Sequence, residues 1–147
     1  MKNFLSSRFI TADFALLFLR VLTGAMLLFG HGTSKLEKFN DDPIRFGDPI
    51  GIGTVPSLIL ATLAEVVCAA LLIIGYKTRY ALIPLIITML VAGVITHLDD
   101  PWGKKELALL YFVVFVGLFL TGPGKYSIDY KQHPSTILVE EEDNIIS

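Results

Sequence analysis

An apolar run interrupted by one arginine constrains this chain more than any other feature. From Phe14 to Phe29 the sequence reads FALLFLRVLTGAMLLF, with Arg20 as its one charged residue. It lacks the polar stripe that a water-soluble helix shows. Continued through Gly30 and His31, the run approaches the roughly 20 residues that cross a bilayer. It predicts a transmembrane helix over 13–31 with a charge embedded in it. Such a charge costs about 2.5–3.5 kcal/mol on insertion scales, so Arg20 demands a partner.

The rest of the chain has the same character. Of 147 residues, 53% are hydrophobic and 18% are charged, where soluble domains carry about 25% charge. The formal net charge of −2 provides no basic face for nucleic acid. The single cysteine, Cys68, excludes an internal disulfide and a CxxC redox pair. Lys2 and Arg8 resemble the basic start of a signal peptide, but Arg20 breaks the apolar stretch and no small-x-small cleavage site follows. The first helix is therefore expected to be retained.

Residues 33–54 read as a long polar loop of the kind that is functional or folds over a site, within which Ser34 to Phe39 alternates aliphatic and charged residues and suits a short interfacial helical turn. A second span is predicted over 55–75, opened by Pro56, closed by Gly75 and carrying Glu65 near its midpoint. A tight basic turn leads to a third span over 80–97, which ends at His97. The loop over 98–105 holds Trp102, a residue of the membrane-surface aromatic belt. A fourth span over 106–121 stops at Gly122-Pro123-Gly124. The expected fold is all-α: an antiparallel four-helix transmembrane bundle in residues 1–130, followed by a polar acidic tail in 131–147. Four spans put both termini on one side. Six basic residues fall on that side and five on the other, and the tight Lys77/Arg79 turn tips the orientation toward cytoplasmic termini.

Helical spacing then locates the polar groups. Arg20 and His31 are about three turns apart on one face. Glu65 enters from the opposite direction and reaches a similar depth to Arg20, so an Arg20–Glu65 ion pair is the economical arrangement. His31, His97, Asp99, Asp100 and Glu106 gather above it at the long-loop end. The candidate pocket is thus Arg20, Glu65, His31, His97 and Glu106. Such a shaft suits a quinone, with histidine and carboxylate taking part in proton uptake and Arg20 facing an anionic form. The spacing of the two histidines is not diagnostic of a metal or haem, and no metal is assigned. The bland alternative is that these are solvated or capping groups at helix ends. Tyr111, Phe112, Phe115 and Phe119 read as packing or lipid-facing residues.

Four stretches carry a resemblance: LRVLTGAMLLFGHGTSKL at 19–36, LAEVVCAALLIIGYKTR at 63–79, TMLVAGVITH at 88–97 and GPGKYSIDY at 122–130. Together they resemble the DoxX family of small bacterial membrane proteins, over about Leu16 to Tyr130. The resemblance implies a four-helix protein of the bacterial cytoplasmic (inner) membrane. It also implies a link to quinone-coupled thiosulfate oxidation or to redox-defence assemblies with protein partners. The expected function is a quinone-linked redox or redox-defence component embedded in the lipid bilayer. The alternative is a non-catalytic membrane partner, scaffold or small-solute carrier.

Overall fold

A computed structural model of the protein describes residues 12–132. The residues before Ala12, with Lys2 and Arg8, and those after Gln132, with most of the acidic tail, lie outside it. The described residues form α1 (Ala12–Asn40), α2 (Thr54–Ile74), α3 (Thr78–Thr96), α4 (Trp102–Thr121) and the short α5 (Ile128–Gln132). No strand occurs among them. Helices α1, α2 and α3 are long and apolar enough to cross a membrane. Helix α4 has 20 residues but carries Lys104, Lys105 and Glu106 at its start.

The helix ends follow from local chemistry. Helix α2 ends at Gly75, whose φ of 71° lets its N–H reach back to the carbonyls of Leu71 and Leu72. Helix α3 begins where the Asp129 carboxylate accepts from the backbone N–H groups of Lys77 (2.7 Å) and Thr78 (2.8 Å). A carboxylate satisfies donors that the first turn leaves unpaired and complements the positive end of the helix. Helix α3 starts two residues before the expected point and carries Pro84 in its second turn.

The largest departure from the expected layout is the length of α1. It continues through His31 to Asn40, so residues 33–40 are helical and the loop spans only 41–53. Its 29 residues extend about 44 Å, well beyond the roughly 30 Å hydrocarbon core. Its midpoint therefore falls near Met26, and Arg20 belongs to one end of the molecule.

The helices pack side by side, α1 against the second half of α2 and α3 along α4. Leu27, Ala64, Leu72, Leu82, Leu85 and Phe115 form the buried centre. Large apolar side chains such as Phe18, Met26, Phe29, Ile87, Leu110 and Leu120 remain outward. A membrane reverses the usual penalty for such a surface, since lipid tails solvate it.

Three helices widen into π-helical turns, at Leu28–Gly32, Leu63–Cys68 and Val91–Thr96. The widening shows in i→i+5 bonds such as His97 N–H to the Ala92 carbonyl, 3.1 Å. One extra residue per turn shifts the side-chain register of the turns that follow. His31 and Glu65 sit within two of these turns, and His97 directly follows the third.

Candidate functional site

The structure corrects the Arg20–Glu65 pair. Arg20 donates from Nη1 to the Pro123 carbonyl (2.7 Å) and from Nη2 to the Tyr126 carbonyl (2.8 Å). It is 1% exposed and lies against Gly75, where a Cβ would come within 2.5 Å of Nη1. Asp129 is the carboxylate whose charge acts on it. On the same end of the molecule, the Asp13 carboxylate accepts from the Lys125 N–H (2.9 Å). Arg20, Asp13 and Asp129 together clasp the GPGKYSID segment across the ends of α1, α2 and α3. The fork of the guanidinium suits this task, because it bridges two carbonyls at once.

Glu65 lies about ten residues from Gly75, or roughly 15 Å along α2, and its partner is Lys35. Their side chains are 5% and 15% exposed. Lys35 became available because α1 continues past His31, and its position at i+4 puts it on the histidine's face. The close approach of α1 and α2 needs Gly32, where a Cβ would sit 2.8 Å from the Glu65 carbonyl oxygen.

His31, Lys35, Glu65, His97, Lys104 and Tyr111 share the lining of a cavity of about 140 Å³. Its apolar walls include Leu27, Met89, Leu107 and Ala108. His97 Nδ1 lies 2.7 Å from Asp100 Oδ2, and Lys104 Nζ donates to Asp100 Oδ1 at 3.2 Å. The hydrogen bonds from His97 and then Lys104 hold the Asp100 carboxyl below its ordinary range. With Nδ1 engaged by Asp100, Nε2 is the ring nitrogen left to serve the cavity. The His31 and Tyr111 rings stand nearly perpendicular, with centroids 6.3 Å apart.

Of the five residues proposed from sequence, the fold thus brings His31, Glu65 and His97 together. Arg20 is at the other end. Glu106 is exposed and does not line the cavity. Helix α4 instead presents Lys104, Leu107, Ala108 and Tyr111, at i, i+3, i+4 and i+7. Tyr111 is 6% exposed and lines the cavity as well as packing on Phe115, 5.7 Å between centroids. Among the described residues no group of three or more His, Cys, Asp or Glu side chains converges to hold a metal ion.

A second cavity, of about 280 Å³, adjoins the first and shares Lys35, Glu65, Ala92 and His97 with it. It lies between α2 and α3 under Phe46, Pro49, Ile50 and Ile52 of the 41–53 loop. Asp48 ties that loop down. Its carboxylate accepts from the N–H groups of Ile52 (2.9 Å) and Gly53 (2.8 Å) and from Ser57 Oγ (2.9 Å). These bonds, the Gly53 amide first, hold the Asp48 carboxyl below its ordinary range.

Apolar helices around a cavity of mixed polar and apolar lining define an integral membrane protein. The chain belongs to the DoxX family, whose model matches residues 15–98. It is 33% identical to an uncharacterized protein of Haemophilus influenzae over 123 residues, covering 79% of this chain and 89% of that one. It is 30% identical over 131 residues to an uncharacterized membrane protein of Mycobacterium tuberculosis, covering 76% and 77% respectively. No solved structure gives a significant match.

Proposed function

We propose that this DoxX-family protein is a quinone-linked component of a membrane redox or redox-defence system, and that the smaller cavity takes the quinone ring. The observation that carries this reading is the pairing of size with polarity. A cavity of about 150 Å³ holds one benzene ring in a well-studied soluble protein, and this one measures about 140 Å³. Unlike that apolar cavity, it has hydrogen-bonding groups among apolar walls, the combination that orients a small ligand. A quinone ring carries carbonyl oxygens at opposite edges and takes up two protons with two electrons. Lys35 and the histidines supply donors. His97, held at Nδ1 by Asp100, and the Lys35–Glu65 pair are the groups placed to exchange protons. The electrons come from a partner redox protein. Arg20 is assigned to the structural clasp. We place the protein in the bacterial inner membrane with cytoplasmic termini, on the strength of the basic Lys77/Arg79 turn.

Calorimetric titration of the purified protein in mild detergent with a tail-less benzoquinone tests the reading. Saturable binding at one site is expected, weakened at least tenfold by His97→Ala and by Glu65→Gln and unchanged by Glu106→Ala. No saturable binding, or full affinity in both pocket variants, overturns the ring site and favours a scaffold or carrier role.

A further inference from the structure

The larger cavity is not needed to hold a ring, and its chemistry differs from that of the smaller one. Its ionisable groups, Lys35, Glu65 and His97, are shared with the ring cavity and mark the junction between the two, while Ser57, Thr88 and Thr96 add hydroxyls to its own lining. Away from that junction the walls are mainly apolar, with Phe46, Ile50, Leu60, Ile87 and Val91 among them. Leu60 and Ile87 are 55% and 56% exposed, on helices apolar enough to span a membrane. On membrane-spanning helices such surfaces meet lipid tails, which puts the side of this chamber between α2 and α3 next to the bilayer. The 41–53 loop, pinned by Asp48, roofs the chamber at its long-loop end.

A ligand fitting both chambers has a compact polar ring at one end and an apolar chain at the other. We infer that the larger chamber between α2 and α3 binds the isoprenoid tail of the quinone whose ring occupies the smaller cavity. This inference rests on the ring reading above. The tail runs from the Lys35–Glu65 junction, past Leu60 and Val91, and leaves laterally into the membrane. The ligand thus reaches the site from the lipid phase without crossing the aqueous loop. Apolar burial along this path adds affinity in proportion to the area covered.

The test compares two benzoquinones with the same ring, one tail-less and one bearing a geranyl tail, on the full-length protein in lipid nanodiscs. Ala61 lines the chamber, and Ala61→Trp fills it; Val91→Phe does so from α3. The ratio of each variant to wild type cancels the partition of the tail into lipid. Both variants, checked for an unchanged thermal midpoint, are expected to weaken the geranyl compound at least tenfold and the tail-less one less than twofold. A geranyl quinone with a diazirine at the tail end is expected to label wild type on the 46–52 loop or on α2 and α3 near Leu60 and Val91. Equal affinities in wild type and variants, or labelling elsewhere, overturn the tail site while the ring site stands. Displacement of the geranyl tail, but not the ring, by decanoate assigns the chamber to fatty acyl chains and overturns the inference. Failure of both quinones to bind overturns both readings. If neither variant keeps its midpoint, the labelling pattern alone decides.

Discussion

At the residue scale, two buried charges find partners that a depth estimate alone does not give them. Arg20 is held by two backbone carbonyls and the nearby Asp129, and Glu65 by Lys35. Removing one member of a buried ion pair strands the other in a low-dielectric site and costs about 3–5 kcal/mol. A double-mutant cycle on thermal unfolding in detergent separates the two arrangements. Lys35→Met with Glu65→Gln is expected to show a coupling of about 1–3 kcal/mol, the double variant being more stable than the single losses add up to. Arg20→Met with Glu65→Gln is expected to be additive within about 0.5 kcal/mol, as for residues with no shared partner. Strong Arg20–Glu65 coupling would restore the original pairing. Lys35 was legible in principle: it stands four residues after His31, but only a helix continued beyond the histidine puts both on one face. Tyr111 was harder to find, because a tyrosine among phenylalanines reads as packing until a histidine ring appears beside it.

At the element scale, the 41–53 loop and the π-helical turns shape the site. The loop is tied by one carboxylate, so its closure depends on pH. A carboxyl with a depressed folded-state value contributes stability that is fully present above the ordinary carboxylate range of about 4. That contribution is lost as pH falls through the depressed value. The amides of Ile52 and Gly53 are therefore expected to stay protected from hydrogen exchange at pH 5–8. They are expected to lose protection in Asp48→Asn at every pH in that window. Unchanged protection in the variant would show that the loop is held by its apolar contacts instead. The helices themselves were legible, since apolar runs, Gly75 and the Gly122-Pro123-Gly124 stop are local signals, and three of the four expected spans are long and apolar enough to cross a membrane. The π-helical turns were not, because no residue type in LFGHG, LAEVVC or VAGVIT demands an extra residue per turn. They accompany the packing of neighbouring helices.

At the scale of the whole molecule, polar chemistry divides between two ends. The terminal end is a structural clasp built by Asp13, Arg20, Asp129 and the GPGKYSID segment. The long-loop end holds both cavities. If α4 spans the membrane with α1, α2 and α3, these ends face opposite compartments. Single cysteines introduced at Asp42 and Tyr126 in a Cys68→Ser background are expected to react with an impermeant maleimide from opposite sides of oriented vesicles. Asp99→Cys is expected to react from the same side as Asp42→Cys. Labelling of positions 99 and 126 from one side would show that α4 does not cross.

The sequence by itself determined the membrane environment, the all-helical class and the presence of the three long apolar helices. Each of these follows from local composition and the free energy of placing apolar residues and backbone in lipid. It also marked His31, Glu65 and His97 as polar groups in an apolar setting that calls for partners. Only the tertiary structure decided which partner each one has. Depth depends on where a helix ends, and α1 ends at Asn40, nine residues beyond His31. That extension carries Lys35 to Glu65 and leaves Arg20 at the far end, where backbone carbonyls from residues more than 100 positions away in sequence receive it.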